Sequence, residues 1–316
     1  MTPSPLESAA DLVAVREPGA RPFPALDWRA RLERLRATVA AFERVVVAYS
    51  GGVDSSLVLR VAHEQLGERA LGVIGRSDSY AVHELELALA QADAFGARIE
   101  VVTTGELSDP AFAANDGNRC YHCKSELYRE LDAVSRRIGA AAVLDGTLFD
   151  DLSDHRPGRR AADEHDVRSP LADLGFDKAD VRAAAASLGL SSHDKPASPC
   201  LASRIPYGTP VTREALERIE AAETALRALG FAELRVRHHG DTARIELPTG
   251  DLSRILEPAV RADVVSAVRR AGYLFVALDL EGFRSGSLNR ALRGPQAGLG
   301  VAESLQKSGT APRGRW

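Results

Sequence analysis

The sequence predicts an α/β fold, a doubly wound parallel sheet with helices on both faces, followed by a smaller C-terminal α+β domain. Three observations predict it. Short apolar runs at 45–47, 70–75, 98–103 and 141–145 alternate with amphipathic helical stretches, the rhythm of successive βαβ units. The first run, Val45, Val46 and Val47, leads into a Gly-rich turn and then a helix, reading VVVAYSGGVDSSL. Beyond residue 209 the order changes to helix, hairpin, helix, strand, which is that of a separate compact α+β unit.

Taken in order, residues 1–25 are rich in Pro, Ala and small polar residues, and no structure is expected there. Residues 27–43 carry apolar spacing at Leu32, Leu35, Val39 and Phe42, which predicts a helix. The turn helix continues through Leu57, Val58, Val61 and Leu66. A strand at 70–75 follows, a helix over 82–95 stopped by Gly96, and a strand at 98–103. A helix spans 120–139, and a strand at 141–145 runs into GTLFDD. Asp177 at the start and Gly189 at the stop bound a helix over 177–188. Residues 194–208, DKPASPCLASRIPYG, hold three prolines and no periodicity and read as an ordered functional loop. Then come a Thr-capped helix over 212–229, strands at 233–239 and 243–247 around HGDT, a helical stretch over 252–271 broken at Pro258, and a final buried strand at 273–279. Residues from about 292 read as an unstructured tail. The expected domains are therefore 26–208 and 209–290, with unstructured segments at 1–25 and 291–316.

The chain has 316 residues, 45% hydrophobic and 27% charged, enough for one large or two medium domains with a real core. A formal net charge of −4 gives no global attraction to nucleic acid, and no nucleic-acid partner is expected. No apolar run approaches the roughly 18 residues of a membrane span. The N-terminus lacks a basic stretch before an apolar one, so a cytoplasmic location is expected. Three cysteines in a reducing compartment do not make a disulfide framework. The basic residues are nearly all Arg, with Lys only at 124, 178, 195 and 307.

A strand, a Gly-rich turn and a helix N-terminus form an anion site, because the first helical N–H groups point outward and the helix dipole favours negative charge. The turn lacks the GK[ST] of a Walker A loop and the G-x-G-x-x-G of a dinucleotide fold. SGGVDSS instead resembles the SGGxDS signature of the PP-loop ATP pyrophosphatases, which have an adenine nucleotide alpha hydrolase-like fold. The ATP-binding candidates are Ser50, Gly51, Gly52, Asp54, Ser55 and Ser56. The glycines let backbone approach phosphate, the serine hydroxyls donate to it, and Asp54 orients the loop or holds Mg²⁺. By the rule for this fold, 50–56, 77–80, 103–106 and 146–151 converge at the carboxyl ends of the strands.

Cys120 and Cys123 in NRCYHCK form a C-x-x-C, and Cys200 stands alone in SPCLASR. Three thiolates fit a [4Fe–4S] cluster with one iron not ligated by cysteine, or zinc with His122 or His193 as the fourth ligand. A third reading is a reactive sulfur at Cys200, its thiol pKa lowered by Lys195 and Arg204. In RVRHHGD, Arg235 and Arg237 share one strand face and suit a phosphate or carboxylate.

SGGVDSS, NRCYHCK, GTLFDD, RSPL, DKPASPCLASRIPYG, RVRHHGD and LDLEGFRSGSLN stand in an order that resembles the LarE family. These are ATP-dependent pyridinium-3,5-biscarboxylic acid mononucleotide sulfurtransferases of nickel-pincer nucleotide cofactor biosynthesis. The resemblance covers roughly residues 27–292. It implies adenylylation of a substrate carboxylate by ATP and Mg²⁺ with release of pyrophosphate. A sulfur then displaces AMP and leaves a thiocarboxylate. It places the sulfur-donating cysteine at Cys200, with Asp54 and Arg204 as further catalytic candidates. It places substrate phosphate and carboxylate on Arg204, Arg235 and Arg237. Glu223, Glu246 and Asp251 complete a small metal or phosphate site. In single-cysteine members that cysteine is sacrificed. Cys120 and Cys123 match instead the three-cysteine subgroup, in which Cys120, Cys123 and Cys200 hold a [4Fe–4S] cluster whose open iron carries the sulfide. A sulfide or persulfide donor and a homo-oligomer are implied as well. Alternatives are a PP-loop tRNA thiolation enzyme, a PP-loop amide-forming synthetase and a non-enzymatic nucleotide-binding regulator. The first wants a basic surface and the second an ammonia-supplying domain. The third predicts ATP binding without pyrophosphate release.

Overall fold

The computed structural model describes residues 21–23, 26–152 and 157–284. Apart from 21–23, the segments 1–25 and 291–316 expected to lack structure lie outside these residues. The chain forms two compact units. The first takes the described residues to Arg76, then Glu84–Thr104 and Cys120–Pro196. The second takes Ser77–His83, Gly105–Arg119 and the described residues from Ala197 onward.

The first unit is built on four parallel strands, β1 (Val45–Ala48), β2 (Ala70–Arg76), β3 (Arg98–Thr103) and β4 (Ala142–Leu144), in the order β3-β2-β1-β4. Val46 lies opposite Leu71 on one side and Val143 on the other, so β1 is central and wholly buried. That is why its sequence is a continuous apolar run and not an alternating one. On one face Val46, Ala48, Leu71 and Val73 pack against Tyr128, Leu131 and Val134 of α5 (Arg119–Ile138). On the other, Gly72 lies against Leu59 of α2 (Val53–Leu66). Helix α1 (Trp28–Ala40) is capped by Asp27, whose side chain accepts from Ala30 N. It buries Leu32, Leu35 and Val39, the spacing read from the sequence. Helices α3 (Val82–Ala94) and α8 (Lys178–Ser187) match their expected spans to within two residues. Asp177 and Asp180 form a reciprocal capping box on α8. The short helices α4 (Pro110–Ala113), α6 (Pro157–Glu164) and α7 (Pro170–Asp173) were not expected. Each begins at a proline, which suits a first helical turn, but two span a single turn and carry no periodicity.

In the second unit, α9 (Arg213–Ala228) begins at Thr212, whose hydroxyl accepts from Ala215 N. Strands β5 (Arg235–His239) and β6 (Thr242–Glu246) pair antiparallel as a hairpin, and β7 (Phe275–Leu278) adds parallel to β6. Helix α10 (Leu252–Leu256) ends before Pro258, which opens α11 (Pro258–Arg270). Ala222, Leu226, Val236, Ala243, Ile245, Ile255, Val264 and Val268 form the core. β7 differs from expectation. It is an edge strand that alternates exposed and half-buried, with Phe275 63% exposed, and not a buried strand. Its apolar run looked like a core strand because composition does not distinguish an edge from a centre.

The second unit gains its two earlier segments through backbone pairing with the 201–211 stretch. Leu201 N donates to Ser79 O, Gly208 N to Asn115 O and Val211 N to Ala113 O. Chain order alone places this unit from residue 209; these bonds bring 77–83 and 105–119 into it as well.

Candidate active site

The phosphate loop leaves β1 at the point where strand order reverses, with β2 on one side and β4 on the other. An open α/β sheet presents its ligand crevice there. Gly51 has φ +69°, and a Cβ on it would stand 2.5 Å from the Cβ of Ala88, so both backbone angle and space demand glycine. Gly52 is the N-cap of α2 and has no side chain to cap with. The first amides of this 14-residue helix are therefore not covered by an N-cap side chain, as an anion site requires. Ser55 turns back into the loop. Its hydroxyl accepts from Ser50 N at 3.1 Å, meets the Ser50 hydroxyl at 3.1 Å and donates to Gly52 O at 3.2 Å. Ser56 is fully buried and accepts from Gln91 Nε2 at 2.6 Å. Of the expected ATP-binding residues, Ser50 is exposed and Gly52 and Asp54 half-exposed, while Ser55 and Ser56 brace the loop from within.

Both carboxylate oxygens of Asp54 lie 2.7 Å from Lys178 Nζ, at the first position of α8. The sequence reading missed Lys178. The available signal was compositional, since lysine is rare in this chain. Gly146, just past β4, is the second position where only glycine fits. A Cβ there would stand 2.6 Å from Ser55 N. Next to it, Asp145 accepts from Thr147 N, Thr147 Oγ1, Ser169 Oγ and Tyr128 OH. Burial pushes the Tyr128 phenol up to about 12, and Asp145 adds to the rise. Lys124 Nζ sits 5.5 Å from the Tyr128 ring centre, and its pKa is raised chiefly by Tyr128.

The second unit brings together most of the residues assigned to substrate. Glu223 and Glu246 are buried carboxylates. Glu223 accepts from Arg204 Nε at 2.9 Å, Arg227 Nη2 at 3.1 Å and Val236 N at 3.0 Å. Glu246 pairs with Arg237 through two bonds of 2.9 Å and with Arg244 at 3.2 Å. Arg235 lies over the Phe283 ring at 4.4 Å, its pKa lowered to about 10 by burial and then by Arg204 and Arg237. Arg204, Arg235 and Arg237 thus form one buried cluster with an excess of positive charge. The same guanidinium groups hold the Cys200 loop, as Arg204 Nη1 donates to Pro199 O at 2.6 Å and Arg237 Nη1 to Ser203 O at 2.7 Å. Asp251 lies apart from this pairing, ending a 3₁₀ turn before α10.

Cys200 is half-buried at the N-cap of the 3₁₀ turn Leu201–Arg204. The two cations expected to favour its thiolate have carboxylate partners, Lys195 with Glu84 at 2.6 Å and Arg204 with Glu223 at 2.9 Å. Cys120 and Cys123 stand three residues apart on the first turn of α5, on one helix face, and Cys200 belongs to the other unit. Among the described residues, no three His, Cys, Asp or Glu side chains group to hold a metal ion. Cys120 is exposed and Cys123 and Cys200 are half-buried. No described helix is long and apolar enough to cross a membrane.

Comparison with known proteins agrees with the phosphate loop and goes further. Residues 28–126, which include β1, the loop and α2, match the NAD synthase family model. An uncharacterized protein of Synechocystis sp. is 45% identical over 262 residues, 83% of this chain and 98% of the relative. Another of Methanocaldococcus jannaschii is 29% identical over 243 residues, 77% of this chain and 92% of the relative. The pyridinium-3,5-bisthiocarboxylic acid mononucleotide synthase of Lactiplantibacillus plantarum is 40% identical over 269 residues, 83% of this chain and 96% of that enzyme. An identity of 40% that covers 83% of this chain and 96% of that enzyme places this chain in the LarE family of PP-loop enzymes.

Proposed function

We propose that this protein adenylylates a carboxylate of pyridinium-3,5-biscarboxylic acid mononucleotide with ATP and converts it to a thiocarboxylate. The observation that supports the reading most is the 40% identity to the Lactiplantibacillus synthase across 96% of that enzyme. A carboxylate is a poor electrophile at neutral pH, so it must first gain a leaving group. Its oxygen attacks the α-phosphorus of ATP, the bond to pyrophosphate breaks, and an acyl adenylate remains. The uncapped amides of α2, Ser50 and Lys178 would hold the departing pyrophosphate, whose negative charge grows as the bond breaks. Mg²⁺ would supply neutralisation of phosphate charge when bound, and Asp54 is the carboxylate that would hold it. Arg235 and Arg237 would take the substrate's phosphate and free carboxylate. Sulfur supplied at Cys200 attacks the acyl carbon as the bond to AMP breaks; were it the Sγ of Cys200 itself, the thioester formed would release the thiocarboxylate by breaking its Cβ–Sγ bond with loss of the Cα proton, leaving dehydroalanine.

A [4Fe–4S] cluster on Cys120, Cys123 and Cys200 belongs to the reading on the strength of cysteine count and C-x-x-C spacing alone. The reading also includes a cytoplasmic homo-oligomer, for which the exposed Leu274 and Phe275 at the start of the edge strand β7 are the natural surface.

The test is to incubate anaerobically purified protein with ATP, Mg²⁺ and the mononucleotide. Pyrophosphate release and product mass are then followed. Release that depends on the mononucleotide, with one oxygen exchanged for sulfur in the product, is expected. ATP binding without pyrophosphate release would sink the proposal. Iron and acid-labile sulfide on the same preparation decide the cluster. About four irons per chain, lost on Cys200→Ala, support it, and no iron rejects it.

A further inference from the structure

A loop without regular structure must still satisfy its backbone carbonyls, because a buried carbonyl without a partner is costly. Around Cys200 backbone amides meet some of them, Ser203 N at Cys200 O, Ile205 N at Ala202 O and Thr209 N at Pro206 O, and side chains add the bonds that tie the loop to the rest of its unit. The guanidinium groups of Arg204, Arg235 and Arg237 reach the carbonyls of Pro199, Ala197 and Ser203. Two further residues complete the set, and neither belongs to the arginine hairpin. Asn115 Nδ2 donates to Pro206 O and to Thr209 O, both at 2.8 Å, and Asn115 O accepts from Gly208 N. Arg119 Nη1 donates to Ala202 O at 2.8 Å and to Asn115 Oδ1 at 2.6 Å.

Both residues carry the marks of a dedicated part. Asn115 is fully buried, has φ +56°, and engages its carboxamide at both ends. Arg119 is buried, and among the described residues no carboxylate pairs with it; its bonds go to a carbonyl, a carboxamide and the face of Tyr207. A buried cation without a counter-charge is expensive, and a neutral residue would fill the space at lower cost. Its use is the bond it makes two residues from Cys200, with a rigid, forked donor.

We propose that Asn115 and Arg119 are positioning residues that clamp the loop from 202 to 209 and thereby fix Cys200 for sulfur transfer. The catalytic half of this inference rests on the sulfur-transfer reading; the clamp itself does not.

The experiment uses the full chain as wild type, Arg119→Gln, Arg119→Lys and Asn115→Gly. Asn115→Gly keeps the positive φ and removes only the carboxamide, so it retains the backbone even where Arg119→Gln does not fold. Alkylation of Cys200 by iodoacetamide is followed by mass spectrometry of the peptide that contains it. Loss of the clamp is expected to speed labelling about tenfold in Asn115→Gly and Arg119→Gln, with Arg119→Lys in between. In the catalytic assay, thiocarboxylate formation should fall about tenfold while pyrophosphate release stays near wild type. Unchanged labelling in the folded variants, or an equal loss in both steps, would overturn the clamp. A wild-type protein that releases no pyrophosphate defeats the sulfur-transfer reading instead, and labelling then decides the clamp alone.

Discussion

Lys178 occupies the first position of α8, where a cation opposes the helix dipole. It is also one of four lysines among 40 basic residues, and it holds Asp54 beside the phosphate loop. The pairing with Asp54 accounts for a placement against local preference and puts a cation beside the phosphate loop, where the proposed function assigns it to the polyphosphate. Lys178→Met is expected to raise the KM for ATP in pyrophosphate release about tenfold, with little change in kcat. An unchanged KM would remove Lys178 from the phosphate site. Cys200→Ala addresses the other half of the chemistry. It should abolish thiocarboxylate formation and leave mononucleotide-dependent pyrophosphate release within about twofold of wild type. Loss of both steps would mean that Cys200 shapes the nucleotide site as well.

At the scale of elements, two pieces are held by unusual devices. The phosphate loop has no room for a side chain at Gly51. Gly51→Ala should cost about 2–3 kcal/mol in urea unfolding and weaken ATP binding, through the positive φ and the clash with Ala88 together. The α9–hairpin pair is joined by Glu223, which has no exposed surface and binds Arg204, Arg227 and the backbone of Val236. Glu223→Gln leaves Arg204 buried without its counter-charge and should destabilise the protein by about 3–5 kcal/mol. A loss below about 1 kcal/mol would show that water or another acid compensates. The arginines of β5 were expected from the alternating sequence to share a face. Their burial against two glutamates was not, because the sequence does not say which face of a hairpin is covered.

For the whole molecule, stability should depend on pH through the hairpin. His238 donates or accepts at Tyr273 OH, 3.1 Å away, and its pKa is lowered from 6.5 first by burial and then by Arg218. His239 is lowered by burial, then by Arg244 and Arg237. In such a case the unfolded chain binds more protons than the folded one just below pH 6.5. The stabilisation is thus fully present above about 6.5 and is lost as pH falls toward the depressed folded values. The unfolding midpoint should drop on acidification through this range, and His238→Gln should flatten part of the slope; a slope unaffected by the variant would place its origin elsewhere. The α/β class, the phosphate loop and the limits of most helices were legible in the sequence. Each depends on neighbouring residues in the chain: a valine run, two glycines, a cap, a period of 3.6. Family membership was legible too, through motifs that are contiguous. The partners of Asp54, Ser56 and the loop after Cys200 were not. They come from Lys178, Gln91, Arg119 and Asn115, all far away in the chain. The exposed edge at β7 was equally hidden, because strand order and not composition decides which strand is covered. Local propensity and capping are encoded within a few residues. Which buried charge meets which carbonyl is decided only when the packed core brings distant segments to hydrogen-bonding distance.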